Sequence, residues 1–251
     1  MSELNGRGIA ITGGAGDIGA AMAAELTRRG AAVTLLDRKT REAAEPWLRQ
    51  ASMYGDVGYV SVDVTDRAAL EAALGEIEPL DVAVGNAGIV DSAPFLEITE
   101  QQWQAHLDVN LTGCFHLGQA TARLMLARER PGRIIFTGSW VGEVPWHEIA
   151  AYSATKAGIA MLARSMAKEL APHGILVNVV APGIVAAGMA RHQFETEPQY
   201  AARASTAIPL GRPQTPEQVA RVTAFLCSDD ADYMTGATLL ADGGCSLFNQ
   251  E

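Results

Sequence analysis

Cysteine is scarce in this chain of 251 residues. Its three cysteines, Cys114, Cys227 and Cys245, lie far apart, are odd in number and form no Cys-x-x-Cys pair. This usage is typical of reduced thiols in a cytoplasmic protein, so we expect neither a disulfide nor a zinc site. His147 stands beside Glu148, but the His-Glu-x-x-His spacing and a third ligand are missing. We therefore predict no bound metal.

Positive charge is also in short supply. The chain has 19 Lys and Arg against 29 Asp and Glu, a formal net charge of −10 and a pI near 5.0. Nucleic acid and anionic membrane surfaces would repel such a protein, so neither is expected as a partner. The longest uncharged run, residues 174–190, contains Asn178, Pro182 and Gly183 and is shorter than the ~20 apolar residues of a membrane helix. The first eight residues lack the apolar core of a signal peptide. We expect a cytoplasmic protein acting on a small molecule.

Apolar residues are plentiful, at 48% of the chain, and they follow a regular pattern. Short apolar runs alternate with longer helical patterns, which is typical of a parallel sheet covered by helices on both faces. The predicted strands are residues 8–12, 32–36, 57–62, 81–84, 133–137, 175–181 and 237–240. No repeat, low-complexity tract or linker marks a boundary, so residues 1–251 are predicted to form a single doubly wound α/β domain with a seven-stranded sheet.

Two helix starts and three loops complete this outline. Thr99-Glu-Gln-Gln102 has the pattern of a capping box, and Thr215-Pro216 places proline at a first helical position. Residues 86–98, 140–150 and 183–214 are irregular and follow successive strands. They should meet at the carboxyl edge of the sheet, where a ligand would bind. Residues 183–214 are called the lid segment below.

A glycine-rich turn, Gly13-Gly-Ala-Gly-Asp-Ile-Gly19, joins the first strand to an alanine-rich helix. Such glycines let the backbone approach a pyrophosphate that the helix N-terminus then binds, although a plain tight turn is the alternative. Asp37 ends the second strand, where a carboxylate accepts hydrogen bonds from ribose hydroxyls and repels a 2′-phosphate. A solvated turn carboxylate is the alternative for Asp37. The carboxylate therefore favours NAD over NADP. The neighbouring Arg38 leaves NADP as the alternative cofactor.

Tyr152 and Lys156 are four residues apart and would share one face of a helix. The ammonium group would then favour the ionised form of the phenol and allow proton transfer near neutral pH. Ser139, after a strand-like run, could reach the same substrate oxygen. A chance Tyr-x-x-x-Lys is the alternative.

Taken in order, these motifs resemble the short-chain dehydrogenase/reductase family. The shared motifs are Gly13 to Gly19, Asp37, Asn86-Ala87-Gly88, Asn110, Ser139, Tyr152 with Lys156, and Pro182-Gly183. The resemblance implies a Rossmann-type fold and an NAD(P)-dependent oxidoreductase. In it, Tyr152 is the acid/base, Lys156 assists it and binds the nicotinamide ribose, Ser139 holds the substrate oxygen and Asn110 supports a proton-relay water. Asp63 and Val64 would lie against the adenine. The residues predicted to bind cofactor are Gly13, Asp17, Ile18, Gly19, Asp37, Arg38, Asp63, Val64, Asn86, Ala87, Gly88, Tyr152, Lys156, Pro182, Gly183 and Val185.

Three positions depart from the family pattern. Asp17 replaces a glycine of the turn, where an anion beside a pyrophosphate is unfavourable unless its side chain turns away or caps the following helix. We interpret Asp17 as a cap of that helix. Gly85 replaces an asparagine, with an expected effect on strand support. Ala187 stands where a threonine often binds the nicotinamide amide, a contact that Val185 would supply through its backbone.

The substrate is predicted from the loops. Pro145-Trp146 resembles a Pro-Trp of bacterial glucose dehydrogenases in this family, and aromatic and polar side chains suit a hydroxylated substrate. The candidate substrate residues are Asp91, Trp140, Trp146, His147, Met189, Arg191 and His192. Packing is the alternative for both tryptophans, and solvent exposure is the alternative for Asp91. In the lid segment, Arg191 or His192 would bind an acidic headgroup or else be surface charges.

The leading hypothesis is an NAD-dependent dehydrogenase that oxidises a hydroxyl of a sugar, sugar acid or polyol. The alternatives are an NADPH-dependent carbonyl or 3-oxoacyl-thioester reductase and a non-catalytic nucleotide-binding member. Small residues follow Tyr152 on its helix, and the resemblance implies a homotetramer in which such a helix forms a subunit contact. Packing on the sheet within one chain is the alternative.

Overall fold

A seven-stranded parallel sheet forms the centre of the molecule. The structure is a computed structural model that describes residues 4–247, apart from the side chain of Met189. The strands are β1 (Gly8–Thr12), β2 (Ala32–Asp37), β3 (Val57–Ser61), β4 (Val82–Gly85), β5 (Gly132–Thr137), β6 (Ile175–Pro182) and β7 (Thr238–Ala241). Their order is β3-β2-β1-β4-β5-β6-β7. All seven predicted strands are confirmed, with ends that differ by at most one residue.

Helices cover both faces of this sheet, as predicted. They are α1 (Asp17–Arg28), α2 (Arg41–Ala51), α3 (Arg67–Gly75), α4 (Glu100–His106), α5 (Gly113–Ala127), α6 (Ala150–Leu170), α7 (Gly188–Thr196), α8 (Pro198–Ala207) and α9 (Pro216–Cys227). Ile9 and Ile11 of β1 pack on the face that carries α1, α2 and α9, whereas Ala10 packs on the opposite face against α3 and α5. This alternation buries both faces and explains why the strands read as continuous apolar runs.

The two predicted helix starts are confirmed. The Thr99 hydroxyl accepts a hydrogen bond from the Gln102 backbone N–H, and the Gln102 side chain accepts one from the Thr99 N–H. Thr215 and Gln218 form the same reciprocal pair before α9, with Pro216 at the first helical position. Each box satisfies backbone donors that a helix N-terminus leaves free.

The loops that follow the strands meet at the carboxyl edge of the sheet. The order reverses between β1 and β4, and the connections after these two strands diverge and open a crevice. Farther along this edge, the Ala93 N–H donates to the carbonyl of Glu148 at 2.8 Å, which joins the loop after β4 to the loop after β5. The lid segment contains α7 and α8.

None of the helices within residues 4–247 is long and apolar enough to cross a membrane.

The three cysteine thiols are free and buried. Burial raises the pKa of Cys114 to about 11 and that of Cys227 to about 12, and it also raises the pKa of Cys245. Only the thiolate attacks thiol reagents, and at pH 8 these pKa values leave about 0.1% or less of the first two thiols ionised. We expect a disulfide reagent at pH 8 to label Cys114 and Cys227 of the folded protein at least ~100-fold more slowly than in denaturant, where three thiols should react. Rapid labelling of Cys114 or Cys227 in the folded state would contradict this.

Candidate active site

A groove of about 380 Å³ runs along the crevice between β1 and β4. Most of the predicted cofactor residues line it, although they come from four separate parts of the chain. Those in the groove are Gly13, Asp17, Ile18, Gly19, Asp37, Arg38, Asp63, Val64, Asn86, Ala87 and Gly88. The structure therefore brings together residues that the sequence connects only through their order.

The floor of this groove is shaped by close approach of backbones. A Cβ atom at Gly19 would lie 2.4 Å from the carbonyl oxygen of Gly13, so only glycine lets α1 start this close to the turn. The Asn86 side chain donates to the Gly13 carbonyl at 3.2 Å and accepts from the Thr137 hydroxyl at 3.3 Å. Asn86 thereby joins the ends of β1, β4 and β5, and its position confirms that these ends form one surface.

Asp37 is held at the groove by the backbone. One carboxylate oxygen accepts from the Ala15 N–H at 3.0 Å and the other from the Lys39 N–H at 3.1 Å. The residue is 9% exposed, so it is not the solvated turn carboxylate of the alternative interpretation. Lys39 was missed by the sequence reasoning: its ammonium lies 3.8 Å from Asp37 and donates to the Ala15 carbonyl at 2.7 Å. Its one signal was its place beside Arg38.

The capping interpretation of Asp17 is wrong. Gly16 is the N-cap of α1 and makes no side-chain cap, whereas Asp17 is already the first helical residue. Its carboxylate instead accepts from the Gly188 N–H at 3.0 Å, from Arg191 at 2.7 Å and from the Trp47 indole at 3.1 Å. Burial alone would raise the pKa of Asp17. The N–H donors of Gly188 and Trp47 and the charge of Arg191 outweigh this effect and hold the pKa below its usual value. Asp17 therefore links the glycine turn to the start of α7 in the lid segment.

Tyr152 and Lys156 share a face of α6, as their spacing predicted. The Lys156 ammonium lies 5.3 Å from the centroid of the Tyr152 ring and donates to the carbonyl of Thr137 at 2.7 Å. Lys156 is only 5% exposed, so water screens its charge weakly at the phenol. Ser139 follows β5 and lines the same cavity as Tyr152. Ser139 and Tyr152 can therefore act on one substrate atom, with the Lys156 ammonium close to the Tyr152 ring.

Asn110 lies in a π-helical segment, Leu107–Thr112, between α4 and α5. It is fully buried, and its amide accepts from the Ile89 N–H at 2.8 Å and donates to the Ile89 carbonyl at 2.9 Å and the Thr155 hydroxyl at 3.2 Å. Such single π turns are frequent at functional sites. Here Asn110 joins the loop after β4 to α6, beside Tyr152. The sequence carries no signal for this local change of helix type.

A second cavity, of about 260 Å³, lies beside the groove, and Ile18, Val90 and Ala187 line both. The predicted residues that line it are Ser139, Trp140, Trp146, His147, Tyr152, Gly183 and Val185. Trp140 also packs edge-on against Trp146, with ring centroids 5.3 Å apart, and is 4% exposed. Trp140 therefore has the packing role of the alternative interpretation and also forms part of the cavity wall.

Three predicted substrate residues lie elsewhere, and these predictions are corrected. The Asp91 carboxylate accepts from Gln102 at 3.0 Å, and its backbone N–H donates to His106 at 3.1 Å. Arg191 is bound to Asp17, and His192 is exposed on α7. None of these three lines the cavity. The side chain of Met189 falls outside the described part of the chain.

The lid segment contributes different side chains from those predicted. Gln193, Glu197, Tyr200 and Arg203 line the cavity from α7 and α8. Ala204 and Ala207 of α8 are buried and point to the side of the helix that packs inward. The spacing of these two small residues in the sequence was the available signal for which face of α8 packs on the site.

The crevice, the glycine turn, the acid at the end of β2 and the Tyr152–Lys156 pair beside Ser139 define an oxidoreductase that uses a nicotinamide dinucleotide. The model of a protein family described as enoyl-(acyl carrier protein) reductase matches residues 13–246. The chain belongs to the short-chain dehydrogenase/reductase family. The resemblance in the motifs and the Rossmann-type fold are thereby confirmed.

Relatives in the family act on varied substrates. The chain is 38% identical to a 3-oxoacyl-(acyl-carrier-protein) reductase of Haemophilus influenzae, over 97% of this chain and 100% of the relative. It is 36% identical to 3beta-hydroxysteroid dehydrogenase 1 of Eggerthella lenta, over 98% and 96% of the two chains.

Solved structures of similar proteins hold either cofactor. An NAD⁺-bound xylitol dehydrogenase matches with a TM-score of 0.89 and 31% identity, over 96% of this chain and 100% of the other. A candidate 2-deoxy-D-gluconate 3-dehydrogenase of Agrobacterium tumefaciens with bound NADP matches with a TM-score of 0.90 and 30% identity, over 98% of each chain. The family thus uses NAD or NADP, and the choice depends on the residues of each member.

Proposed function

We propose that this chain is an NAD-dependent dehydrogenase that oxidises a hydroxyl of a small polar substrate such as a sugar, a sugar acid or a polyol. The observation that carries the proposal is the cavity of about 260 Å³, which places Ser139 and Tyr152 beside the cofactor groove. Its volume is just below the ~300–1,000 Å³ typical of sites for drug-sized ligands, so it suits a small substrate. His147, Gln193 and Tyr200 provide polar groups for several hydroxyls.

The residues of the groove fit a dinucleotide. The backbone amides at the start of α1 lie where a pyrophosphate can accept from them, and Gly13 and Gly19 leave no side chain in the way. When bound, NAD supplies the acceptor for the hydride. In this proposal Lys156 binds the nicotinamide ribose, and Gly183 and Val185, which line the cavity beside the groove, contact the nicotinamide. Pro182, also predicted to bind cofactor, is buried at the end of β6 and lines neither the groove nor the cavity.

The proton chemistry belongs to the chain itself. Negative charge develops on the substrate oxygen as the hydride leaves, and the Tyr152 phenolate takes the hydroxyl proton at that moment. The ammonium of Lys156 lies beside the Tyr152 ring, while the Ser139 hydroxyl donates a hydrogen bond to the same substrate oxygen. Asn110 positions the loop after β4 and α6, and a relay water beside it would return the proton to solvent.

Asp37 supports NAD as the cofactor. Its carboxylate faces the groove and would accept from the ribose hydroxyls, whereas a 2′-phosphate would meet its negative charge. Arg38 and Lys39 line the same groove and are the residues that would hold a 2′-phosphate. We propose that Asp37, which is better buried than Arg38 and Lys39, determines the preference for NAD.

A second candidate is an NADPH-dependent carbonyl or 3-oxoacyl-thioester reductase. It is favoured by the 38% identity to the reductase of Haemophilus influenzae. The two candidates share every catalytic residue and differ in cofactor and substrate.

We also propose a homotetramer in the cytoplasm. The support is a set of apolar side chains that are unusually exposed on the helices next to the sheet, namely Trp103 on α4, Phe115 and Leu126 on α5 and Met161 on α6. A second copy of the chain would cover them.

A substrate panel tests the proposed function. NAD or NADP is mixed with the protein and with sugars, sugar acids, polyols and hydroxy acids, and the absorbance of reduced cofactor is followed. We expect reduction of NAD with at least one small polyhydroxy substrate. Failure of the whole panel, together with oxidation of NADPH by a 3-oxoacyl thioester, would favour the second candidate.

A further inference from the structure

Arg203 of α8 lies in the wall of the substrate cavity, where the sequence analysis had placed Arg191. Ala204 and Ala207 are buried in a cluster that includes Trp140 and Ile208, and this packing fixes α8 against the site. Arg203 is the neighbour of Ala204 and lines the cavity together with Ser139 and Tyr152. The packing of α8 therefore positions Arg203 in the wall of the cavity that Ser139 and Tyr152 also line.

The guanidinium of Arg203 lacks an acceptor for its inner N–H. Its Nε atom is buried and makes no hydrogen bond, and within residues 4–247 no carboxylate forms an ion pair with Arg203. Arg191, by comparison, is satisfied by Asp17 at 2.7 Å. A buried polar group without a partner is rare in proteins and calls for an explanation, such as a ligand that supplies the acceptor.

The surroundings of Arg203 leave this acceptor to a ligand. Tyr200, three residues earlier on α8, also lines the cavity, and burial raises the pKa of Tyr200 more than the charge of Arg203 lowers it. Tyr200 therefore stays a neutral hydroxyl and does not compensate the guanidinium charge. Glu148 and Glu197 also line the cavity, but both are exposed at its rim, where water solvates their carboxylates. Among the described residues that line the cavity, Arg203 is thus the one lysine or arginine.

The geometry points to a carboxylate as the group that Arg203 binds. The planar guanidinium offers parallel N–H donors that match the two oxygens of a carboxylate, and such charge-assisted bonds are about twice as strong as neutral ones. This inference rests on the proposed function and narrows its substrate to a hydroxy acid, for example a sugar acid, with the reacting CH–OH at Tyr152 and the carboxylate at α8. The hydroxyl carbon is oxidised to a ketone, NAD is reduced to NADH, and one proton leaves through Tyr152. The carboxylate is unchanged, and the product is an oxo acid.

The test compares matched substrates on matched variants. Each substrate pair is an aldonate and the alditol of equal chain length, in which CH₂OH replaces the carboxylate. In the parent protein we expect kcat/KM for the preferred aldonate to exceed that for its alditol by about 10- to 100-fold. In Arg203→Met this preference should fall to within about threefold, mostly through a higher KM for the aldonate. Arg203→Lys keeps the positive charge but lacks the parallel N–H donors of the guanidinium, so it should recover part of the preference for the aldonate.

Controls separate this inference from a structural effect. Arg123→Met removes an exposed arginine of α5 that lies outside both cavities and should leave the preference unchanged. Binding of the aldonate to the Tyr152→Phe variant with NAD, measured by calorimetry, should weaken by the same factor when Arg203→Met is added.

The outcomes are distinct for the two proposals. Oxidation of alditols as fast as aldonates by the parent protein, or an equal loss on both in Arg203→Met, would overturn the role of Arg203 while the dehydrogenase proposal stands. Turnover of neither class, with reduction of a 3-oxoacyl thioester by NADPH, would overturn both.

Discussion

Replacing Tyr152 with phenylalanine should lower kcat by about 10²- to 10⁴-fold, the usual contribution of a positioned acid/base. The ring is half-buried among Trp146, Ile149 and Ile184, so phenylalanine keeps the packing and removes only the hydroxyl. NAD should still bind, because the groove residues are untouched. Steady-state rates with the best substrate of the panel, and fluorescence titration with NADH, measure the two effects separately.

Tyr233→Phe is the matched control for this change. Tyr233 is fully exposed and lies outside both cavities, so the same loss of a hydroxyl there should leave kcat within about twofold. A Tyr152→Phe variant that is folded and turns over at the parent rate would remove Tyr152 from the mechanism.

Replacing Asp37 with asparagine should shift the ratio of kcat/KM for NAD to that for NADP by about 10- to 100-fold toward NADP. The amide keeps the size of the side chain but removes the charge that repels a 2′-phosphate, and it weakens the bonds to the ribose hydroxyls. Lys39, at 3.8 Å from the carboxylate, and Arg38 then face a phosphate without competition from Asp37. Initial rates with each cofactor at saturating substrate give the ratio.

Asp63→Asn provides the comparison. Asp63 lies in the same groove, but its carboxylate accepts from the N–H and the hydroxyl of Thr65 at 2.9 and 2.8 Å. We expect its variant to keep the cofactor preference of the parent. An unchanged ratio in Asp37→Asn would show that another residue selects the cofactor.

Local patterns predicted the parts of this protein that local forces determine. Strand positions followed from apolar runs, since a strand buried on both faces cannot carry charge without a partner. The capping boxes at Thr99 and Thr215 and the shared face of Tyr152 and Lys156 depend on spacings within one helix. The fold and the proton-transfer cluster were accessible from the sequence for this reason.

The parts that were missed depend on contacts between distant segments. Asp17 was read as a cap because only its own helix was visible, yet its partners are Trp47, Gly188 and Arg191. Arg191 and Arg203 look alike in sequence, and only the packing of α7 and α8 decides which one meets Asp17 and which one lines the cavity. The π-helical turn at Asn110 likewise depends on the loop and helix that its side chain binds.

The contact between Asp17 and the first turn of α7 bears on how the cofactor enters and leaves. Arg191 is half-exposed, and an exposed ion pair contributes only about 0–1 kcal/mol, with about 0.5–1.5 kcal/mol more from the Gly188 hydrogen bond. A link of this strength opens in on the order of a few per cent of the molecules at any moment. We therefore expect oxidised and reduced cofactor to exchange without unfolding of the lid segment. Because salt screens an exposed pair, the exchange should become faster at higher ionic strength.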